Sequence, residues 1–343
     1  MAHSAKEARQ LFNKMNSLLN KFEKSVVEWL LEENNPSIRY LTLTELLGVS
    51  SRRREPTEAR SRIPDWAPVK KMLARQKRNG GWDDGRTWYL PKYRSTVWQL
   101  LLLSQTGIDE EIPAIRKMVE YSLKFQMPQG GFRSGMAADF EDDWASLAGC
   151  LDGNVIAALS RLGRAHDQKI RKALNYLMSF QEPDGGWGCR SFGYHKRDKH
   201  SCLMGTICAL DGLVEYSQRV QTKKVDRAVK DACEFLLTHR LYKADHHGWK
   251  VIKREYTKLW APWLVGYNIL RGLRAVTRAG IVNDERTEDA LSLLAAKRNS
   301  RGRWIRETSW PSTTYSSFGR VAAEDKWVTL NALLVLEQCS AKK

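Results

Sequence analysis

The 343-residue sequence lacks the features of several common protein classes. Six cysteines are too few for a disulfide scaffold at this length, and no charged segment followed by an apolar one opens the chain. No apolar run approaches the roughly 20 residues that a transmembrane helix needs. These absences predict a soluble, cytoplasmic protein whose thiols are reduced.

Positive charge, by contrast, is in clear excess. The chain carries 56 Lys and Arg against 39 Asp and Glu, a formal net charge of +17. With 42% hydrophobic residues, the composition is typical of a packed globular protein. Such a chain is expected to meet a negatively charged partner. Charge alone leaves nucleic acid, anionic lipid and a phosphorylated small molecule open.

A short motif recurs along the chain. Each clear copy has Gln, four intervening residues ending in Gly, then Gly and an aromatic residue. These copies occupy residues 76–82 (QKRNGGW), 126–132 (QMPQGGF) and 181–187 (QEPDGGW). Weaker copies follow at 247–249 and 297–304. The aromatic residues lie about 50 to 60 residues apart, a period typical of repeated helical units.

Each copy lies between two stretches of helical period. The stretch before it mixes charged with apolar residues three and four positions apart, which predicts a half-exposed outer helix. The stretch after it is richer in Leu, Ala, Val and Trp, which predicts a buried inner helix. The predicted outer helices span 68–78, 111–125, 167–180, 224–239 and 286–297. The predicted inner helices span 94–104, 151–162, 202–216, 263–279 and 326–338.

One more hairpin, over 8–31 and 37–47, precedes the first copy, so six are predicted. We interpret 1–343 as a single all-α domain, with 1–48 as the first hairpin and 49–67 as a basic linker. Such hairpins stack into a solenoid or close into a ring, and inner helices apolar on nearly all sides favour the ring. The long connections all precede inner helices and therefore meet at one end, where we expect a ligand cavity to open.

The repeats resemble the QW-type motifs of squalene and terpene cyclases and the glycine-rich repeats of protein prenyltransferase β subunits, over most of 68–338. This resemblance implies an α6/α6 toroid around an apolar, aromatic-lined cavity for an isoprenoid. Its candidate substrate contacts, including two arginines for a diphosphate, are Trp98, Trp144, Tyr194, Trp260, Trp263, Tyr267, Trp327, Arg94 and Arg190. Packing alone is the alternative for these aromatic residues. The motif aromatics themselves are expected to be packing wedges: Trp82, Phe132, Trp187, Trp249 and Trp304.

A zinc site is a second implication of the resemblance. Prenyltransferases hold a catalytic zinc with an Asp, a Cys and a His, and the segment from His200 to Cys202 is similar to their His-x-Cys segment. Cys150 lies where the family's Cys is expected. The family's Asp has no clear match, so Asp152 or Cys189 would have to substitute. The candidate ligands are Cys150, Cys189, His200 and Cys202; the alternative is that the cysteines are small buried apolar residues.

Acid chemistry is a third possibility. Class II terpene cyclases protonate an alkene with the middle Asp of a D-x-D-D run, which residues 139–143 (DFEDD) resemble loosely. A solvated acidic loop is the alternative for that run. Asp152, near the start of an inner helix, and His195, in a long loop, are the candidate catalytic residues.

A non-enzymatic alternative uses the positive charge directly. Basic residues cluster at 52–54 and at 250–258, where Tyr256 and Trp260 are interleaved with them. Such a pattern can bind phosphates and stack bases, which would make the ring a scaffold for nucleic acid or an acidic protein partner. Oligomeric state, and any need for a second subunit as in prenyltransferases, stay open.

Overall fold

The computed structural model describes residues 24–134, 149–188, 200–310 and 314–340. Helices dominate these ranges, and their strands form a single short antiparallel hairpin, β1 (Lys243–Ala244) and β2 (Lys250–Val251). None of the described helices is both long enough and apolar enough to cross a bilayer.

Outer and inner helices alternate along the chain as the sequence predicts. The outer helices are α1 (Lys24–Leu30), α4 (Ala67–Leu73), α6 (Pro113–Ser122), α8 (Gln168–Met178), α10 (Lys223–Thr238) and α12 (Glu288–Ala296). The inner helices are α2 (Pro36–Leu41, continued by a π-helical turn, Thr42–Leu46), α5 (Thr96–Gln105), α7 (Cys150–Arg161), α9 (Leu203–Ser217), α11 (Ile269–Arg278) and α13 (Lys326–Ser340). The predicted linker contains a further helix, α3 (Arg54–Ser61).

Local sequence signals explain where several helices begin. Proline occupies the first turn of α2, α4 and α6, where its missing N–H is not needed. Side-chain caps open α8 and α10, because Asp167 accepts from Lys169 N and Thr222 accepts from Val225 N. Outer helices are amphipathic, whereas inner helix α9 is buried along nearly its whole length.

The inner helices close into a ring. Each inner helix packs against the next: α5 against α7, α7 against α9, α9 against α11, and α11 against α13. Helix α13 in turn packs against α2 and its π-helical turn. The gap between α2 and α5 is closed by Tyr40, whose ring fills the space beside Gly107, and by Arg60 Nε, which donates to Gly107 O at 2.9 Å. Within the described ranges, six hairpins therefore form an α6/α6 toroid with the inner helices at its centre.

The Gln and aromatic residues of the repeated motif join successive hairpins. Gln126 Nε2 donates to Gly130 O in its own turn and to Lys169 O of the next outer helix. Gln76 and Gln181 make the same pair of contacts in their repeats. The indole N–H of Trp82, Trp187 and Trp304 each donates to a carbonyl of the preceding outer helix. These contacts, with side chains at most 5% exposed, make the three tryptophans packing wedges.

Trp249 departs from this pattern. It is 43% exposed and lies in the loop between β1 and β2, so the expectation that it packs as a wedge is wrong. The sequence at 247–249 is HGW and lacks the Gln that begins the three clear copies. Among the described residues, no Gln joins this connection to the next outer helix by the hydrogen bonds that Gln126 makes in its repeat. A short β-hairpin replaces the usual turn.

Candidate functional site

All six inner helices line one cavity of about 480 Å³. Helices α5, α7, α9 and α11 contribute only their last two turns, while α13 contributes residues along its length. The cavity therefore lies toward the C-terminal ends of most inner helices. The sequence pattern predicts a cavity that opens among the long connections, at the N-terminal ends of the inner helices. The structure places the cavity toward the other end of most of them.

A buried connection explains the difference. Residues 259–268, which we call the plug segment, precede α11 and pass into the ring instead of forming the predicted start of that helix. Trp263 N donates to Gln105 Oε1 at 2.9 Å, across the ring on α5. Arg271 holds the segment by donating to Leu264 O and Gly266 O. The plug segment thus occupies ring space that the sequence pattern leaves open.

Helices α7 and α9 pack closely against each other and leave little open space between them within the ring. A Cβ atom added at Gly153 of α7 would lie 2.3 Å from Cys208 O of α9, and one at Gly212 would lie 2.6 Å from Gly153 O. Only glycine permits this backbone approach. Little space therefore remains between α7 and α9.

Three arginines converge on one carboxylate at the cavity wall. Glu215 Oε1 accepts from Arg161 Nε at 2.7 Å and from Arg278 Nη1 at 2.6 Å, and Glu215 Oε2 accepts from Arg219 Nη1 at 3.0 Å. Burial raises the pKa of Glu215, but Arg161 and Arg278 outweigh it and hold that pKa well below its ordinary value. Glu215 is therefore ionised, and the three guanidinium groups exceed it in charge.

A second ion pair also lines the cavity. Arg274 Nη2 lies 2.6 Å from Glu45 Oε2 of the π-helical turn, and burial lowers the pKa of Arg274 to about 10. Among the described residues, five arginines and three glutamates line the cavity, a formal excess of two positive charges, one of which is balanced by the pairing of Arg60 with Asp109 at 2.6 Å. A partly desolvated excess of guanidinium groups favours an anion that can accept several hydrogen bonds.

Apolar and aromatic side chains also line the cavity. They include those of Leu41, Pro262, Trp263, Trp327, Leu330 and Leu334. The indole Nε1 atoms of Trp263 and Trp327 are buried and have no hydrogen-bond partner among the described residues. The cavity lining is mostly polar and charged, with these aromatic and aliphatic side chains among the charged ones.

The predicted substrate contacts divide between this cavity and other places. Trp263 and Trp327 line it. Trp260 and Tyr267 lie buried in the plug segment, and Trp98 is buried with its Nε1 donating to Tyr89 O. Arg94 is exposed in the connection before α5. Trp144, Tyr194 and Arg190 lie outside the described residues.

Asp152 does not line the cavity and instead occupies a position that recurs in the repeats. Its Oδ1 accepts from Phe132 N at 2.6 Å, the contact that a threonine hydroxyl makes with the motif tryptophan in three other repeats, through Thr96, Thr206 and Thr329. Burial raises the pKa of Asp152 to about 8. The side chain is thus largely a neutral acid at pH 7, and its catalytic role stays a prediction. The other candidate, His195, lies outside the described residues.

The candidate zinc ligands have separate contacts where they are described. Cys150, the first residue of α7, is hydrogen bonded with Cys208 of α9, a bond that lowers the pKa of the Cys208 thiol. Cys202 Sγ caps α9 by accepting from Gly205 N at 3.1 Å. The His200 ring faces that of His246 at 6.4 Å between centroids. Cys189 lies outside the described residues, and within them no three His, Cys, Asp or Glu side chains form a metal-holding group.

Sequence reasoning missed the group formed by Arg161, Arg219, Arg278 and Glu215. These residues lie in or just beyond the last turns of inner helices that are mostly buried, and charge at such positions was the available signal. A charge within a buried helix needs a partner or a ligand. The sequence alone does not say which charges converge.

Comparison with known proteins agrees with the ring geometry. No protein-family model matches the chain. A squalene–hopene cyclase from Zymomonas mobilis is 25% identical over 220 residues, which is 55% of this chain and 30% of that protein. The fold is a terpenoid cyclase-like α/α toroid. The predicted resemblance to that superfamily is confirmed, and the chain spans about a third of the length of this relative.

Solved structures with weaker likeness include two proteins of known source. The type II terpene cyclase MstE from Scytonema superimposes with a TM-score of 0.43 at 12% identity, covering 97% of this chain and 99% of that one. A possible member of the GH105 family from Salmonella enterica has a TM-score of 0.47 at 13% identity, covering 98% of this chain and 94% of that one.

Proposed function

We propose that the chain binds an isoprenoid or similarly apolar small molecule that carries an anionic group, in the cavity at the centre of the ring. The observation that carries this proposal is the mixed charged and aromatic lining of a cavity shared by all six inner helices. Its volume of about 480 Å³ lies within the usual range for small-molecule sites. The squalene–hopene cyclase relative supports an apolar, isoprenoid-derived ligand class.

The apolar and the charged lining residues have distinct tasks in this proposal. Trp263, Trp327 and Leu330 bury the apolar part of the ligand, which is favourable in proportion to the area removed from water. The guanidinium groups of Arg161, Arg219 and Arg278 bind the anionic group, for which a diphosphate or carboxylate has suitable acceptor geometry. Ligand binding then relieves repulsion among arginines that share Glu215.

Isothermal titration with three probes tests the proposal: geranylgeranyl diphosphate, geranylgeraniol and inorganic pyrophosphate. We expect the diphosphate to bind most tightly. Arg219→Gln should weaken its binding about tenfold, the loss expected for one charge-assisted contact. Trp263→Leu should weaken binding of the diphosphate and the alcohol alike. Arg227→Gln, an exposed position on α10, is the matched control and should change nothing.

Absence of binding for all three probes to the folded protein would refute the proposal. Equal affinity for pyrophosphate and geranylgeranyl diphosphate would retain the anion site and reject the apolar one. Binding of the alcohol alone, unaffected by Arg219→Gln, would reject the anionic part.

Zinc at Cys150, Cys189, His200 and Cys202 is a separate proposal. The described residues do not bring three of these ligands together, so we assign no chemical step to a metal. Elemental mass spectrometry of the untagged protein tests the site. About one zinc per chain is expected if it exists, with loss of the metal in a triple Cys150→Ser, Cys189→Ser and Cys202→Ser variant. A metal-free wild-type protein, purified without chelators, would reject it.

A further inference from the structure

The exposed large apolar residues gather at one end of the ring. Among the described residues these are Leu90, Trp249, Val251, Ile252, Ile305 and Val321. Every one of them lies in a connection from an outer to an inner helix. These connections meet at the N-terminal ends of the inner helices, which we call the long-loop face. The cavity lies toward the opposite end.

Three of these six residues lie in the β-hairpin or directly after it: Trp249, Val251 and Ile252. All ten residues from 246 to 255 are exposed, and Trp249, Val251 and Ile252 are 43%, 43% and 36% exposed. Scattered single apolar residues are normal on protein surfaces, but three within four positions of a fully exposed stretch form a patch. Such a patch is typical of an interaction surface.

Trp249 is partly exposed and has an unfavourable backbone conformation. Its φ is +60°, in the left-handed region that an aromatic residue rarely adopts. The Arg240 guanidinium lies 4.6 Å from the centroid of its ring, within the range of a cation–π contact. Glycine or asparagine would fit this backbone better, so the backbone conformation does not explain a tryptophan here. Strain of this kind at an exposed position points to a binding role.

The charge beside the patch is positive. Lys250, Lys253 and Arg254 are exposed within the same ten residues, against the single acidic residue Glu255. An aromatic and aliphatic tip flanked by lysine and arginine matches a surface that is apolar beneath an anionic layer. The patch therefore has the chemistry of an interfacial membrane anchor.

The same segment fits nucleic acid less well. Tyr256 and Trp260, the aromatic residues interleaved with the basic ones in the sequence, are both only 8% exposed. They are therefore poorly placed for base stacking, which requires an accessible ring face. The accessible neighbours of Trp249 are instead Val251 and Ile252, whose aliphatic side chains favour a lipid environment.

We propose that the β-hairpin anchors the long-loop face to an anionic lipid surface. Trp249, Val251 and Ile252 enter the boundary between headgroups and acyl chains, while Lys250, Lys253 and Arg254 contact anionic headgroups. This proposal does not depend on the ligand of the central cavity.

Vesicle flotation of the full chain tests it, with phosphatidylcholine vesicles and with vesicles of phosphatidylcholine and phosphatidylglycerol. We expect binding to the anionic vesicles and its loss with added salt. Trp249→Asn should reduce binding about tenfold, and the double variant Lys250→Glu, Lys253→Glu should reduce it by at least as much. Because asparagine suits the left-handed backbone, the first variant should fold as well as the wild type.

The matched control reverses the same charge at the other end of the ring. Lys223→Glu with Lys224→Glu changes two exposed lysines at the start of α10 and should leave vesicle binding intact. Three results would overturn the proposal: no binding to anionic vesicles at low salt, equal loss in the control variant, or retention of RNA or DNA in place of vesicles.

Discussion

At the scale of single residues, Asp152 shows how one substitution in a repeat changes the physics of the position. A threonine hydroxyl is neutral and accepts the motif N–H without penalty, as Thr96, Thr206 and Thr329 do. A carboxylate in the same buried place must either lose hydration or keep its proton. Burial raises the pKa of Asp152 to about 8, so the carboxyl group keeps its proton at neutral pH.

This gives a pH-dependent prediction. Between about pH 4 and pH 8 the folded state retains a proton on Asp152 that the unfolded state has lost, so stability falls as pH rises through this window. Asp152→Asn and Asp152→Thr should match the wild type near pH 4. At pH 8 we expect them to be more stable by about 2 to 5 kcal/mol. Urea unfolding at both pH values measures the difference.

The control for this experiment is Asp231→Asn, an exposed position on α10. It should leave the pH dependence of unfolding unchanged. An Asp152→Asn variant whose stability follows the wild-type curve at both pH values would mean that Asp152 is ionised in the folded protein.

At the scale of elements, helices were predictable and the connections between them were not. Every predicted inner and outer helix of the five repeats is present, because its apolar period is local in the sequence. The exception is the start of α11, predicted at residue 263 and observed at Ile269. The plug segment is buried through distant contacts, such as Trp263 with Gln105, that no local pattern encodes.

The candidate site was harder to predict for the same reason. Trp263 and Trp327 could be proposed from their position beside inner helices, and both line the cavity. The convergence of Arg161, Arg219 and Arg278 on Glu215 joins three repeats and depends on ring closure. Sequence spacing alone cannot bring such residues together.

The motif glutamines yield a prediction for the connections. Gln126→Ala removes donors from Gly130 O and Lys169 O and should lower the free energy of unfolding by about 1 to 2 kcal/mol. Gln129→Ala changes an exposed glutamine of the same turn and should alter it by less than about 0.5 kcal/mol. Denaturant unfolding of the two variants measures both values, and equal effects would show that the motif glutamine does not join the hairpins energetically.

At the scale of the whole molecule, Glu215 balances charge between three inner helices. Removing it leaves Arg161, Arg219 and Arg278 to repel one another at a partly buried place. Glu215→Gln should therefore destabilise the ring by about 3 to 5 kcal/mol, as breaking a buried ion pair does. Added pyrophosphate should restore more stability to this variant than to the wild type, since the anion replaces the lost charge.

Thermal unfolding with and without pyrophosphate measures this effect. Glu234→Gln is the control, because its partner Arg286 lies in a partly exposed outer pair that contributes little. A Glu215→Gln variant that pyrophosphate stabilises no more than the wild type would show that the cavity arginines do not bind anions.

Ring closure also sets an order of events during synthesis. Lys326 at the start of α13 pairs with Glu32, 294 residues earlier in the chain, across the seam between the last and first hairpins. At translation rates of about 5 to 20 residues per second, the first hairpin waits about 15 to 60 s for its final neighbour. During that interval the surface of α2 that α13 later covers is open to other chains. Nascent protein should therefore depend on chaperones until the last helix leaves the ribosome.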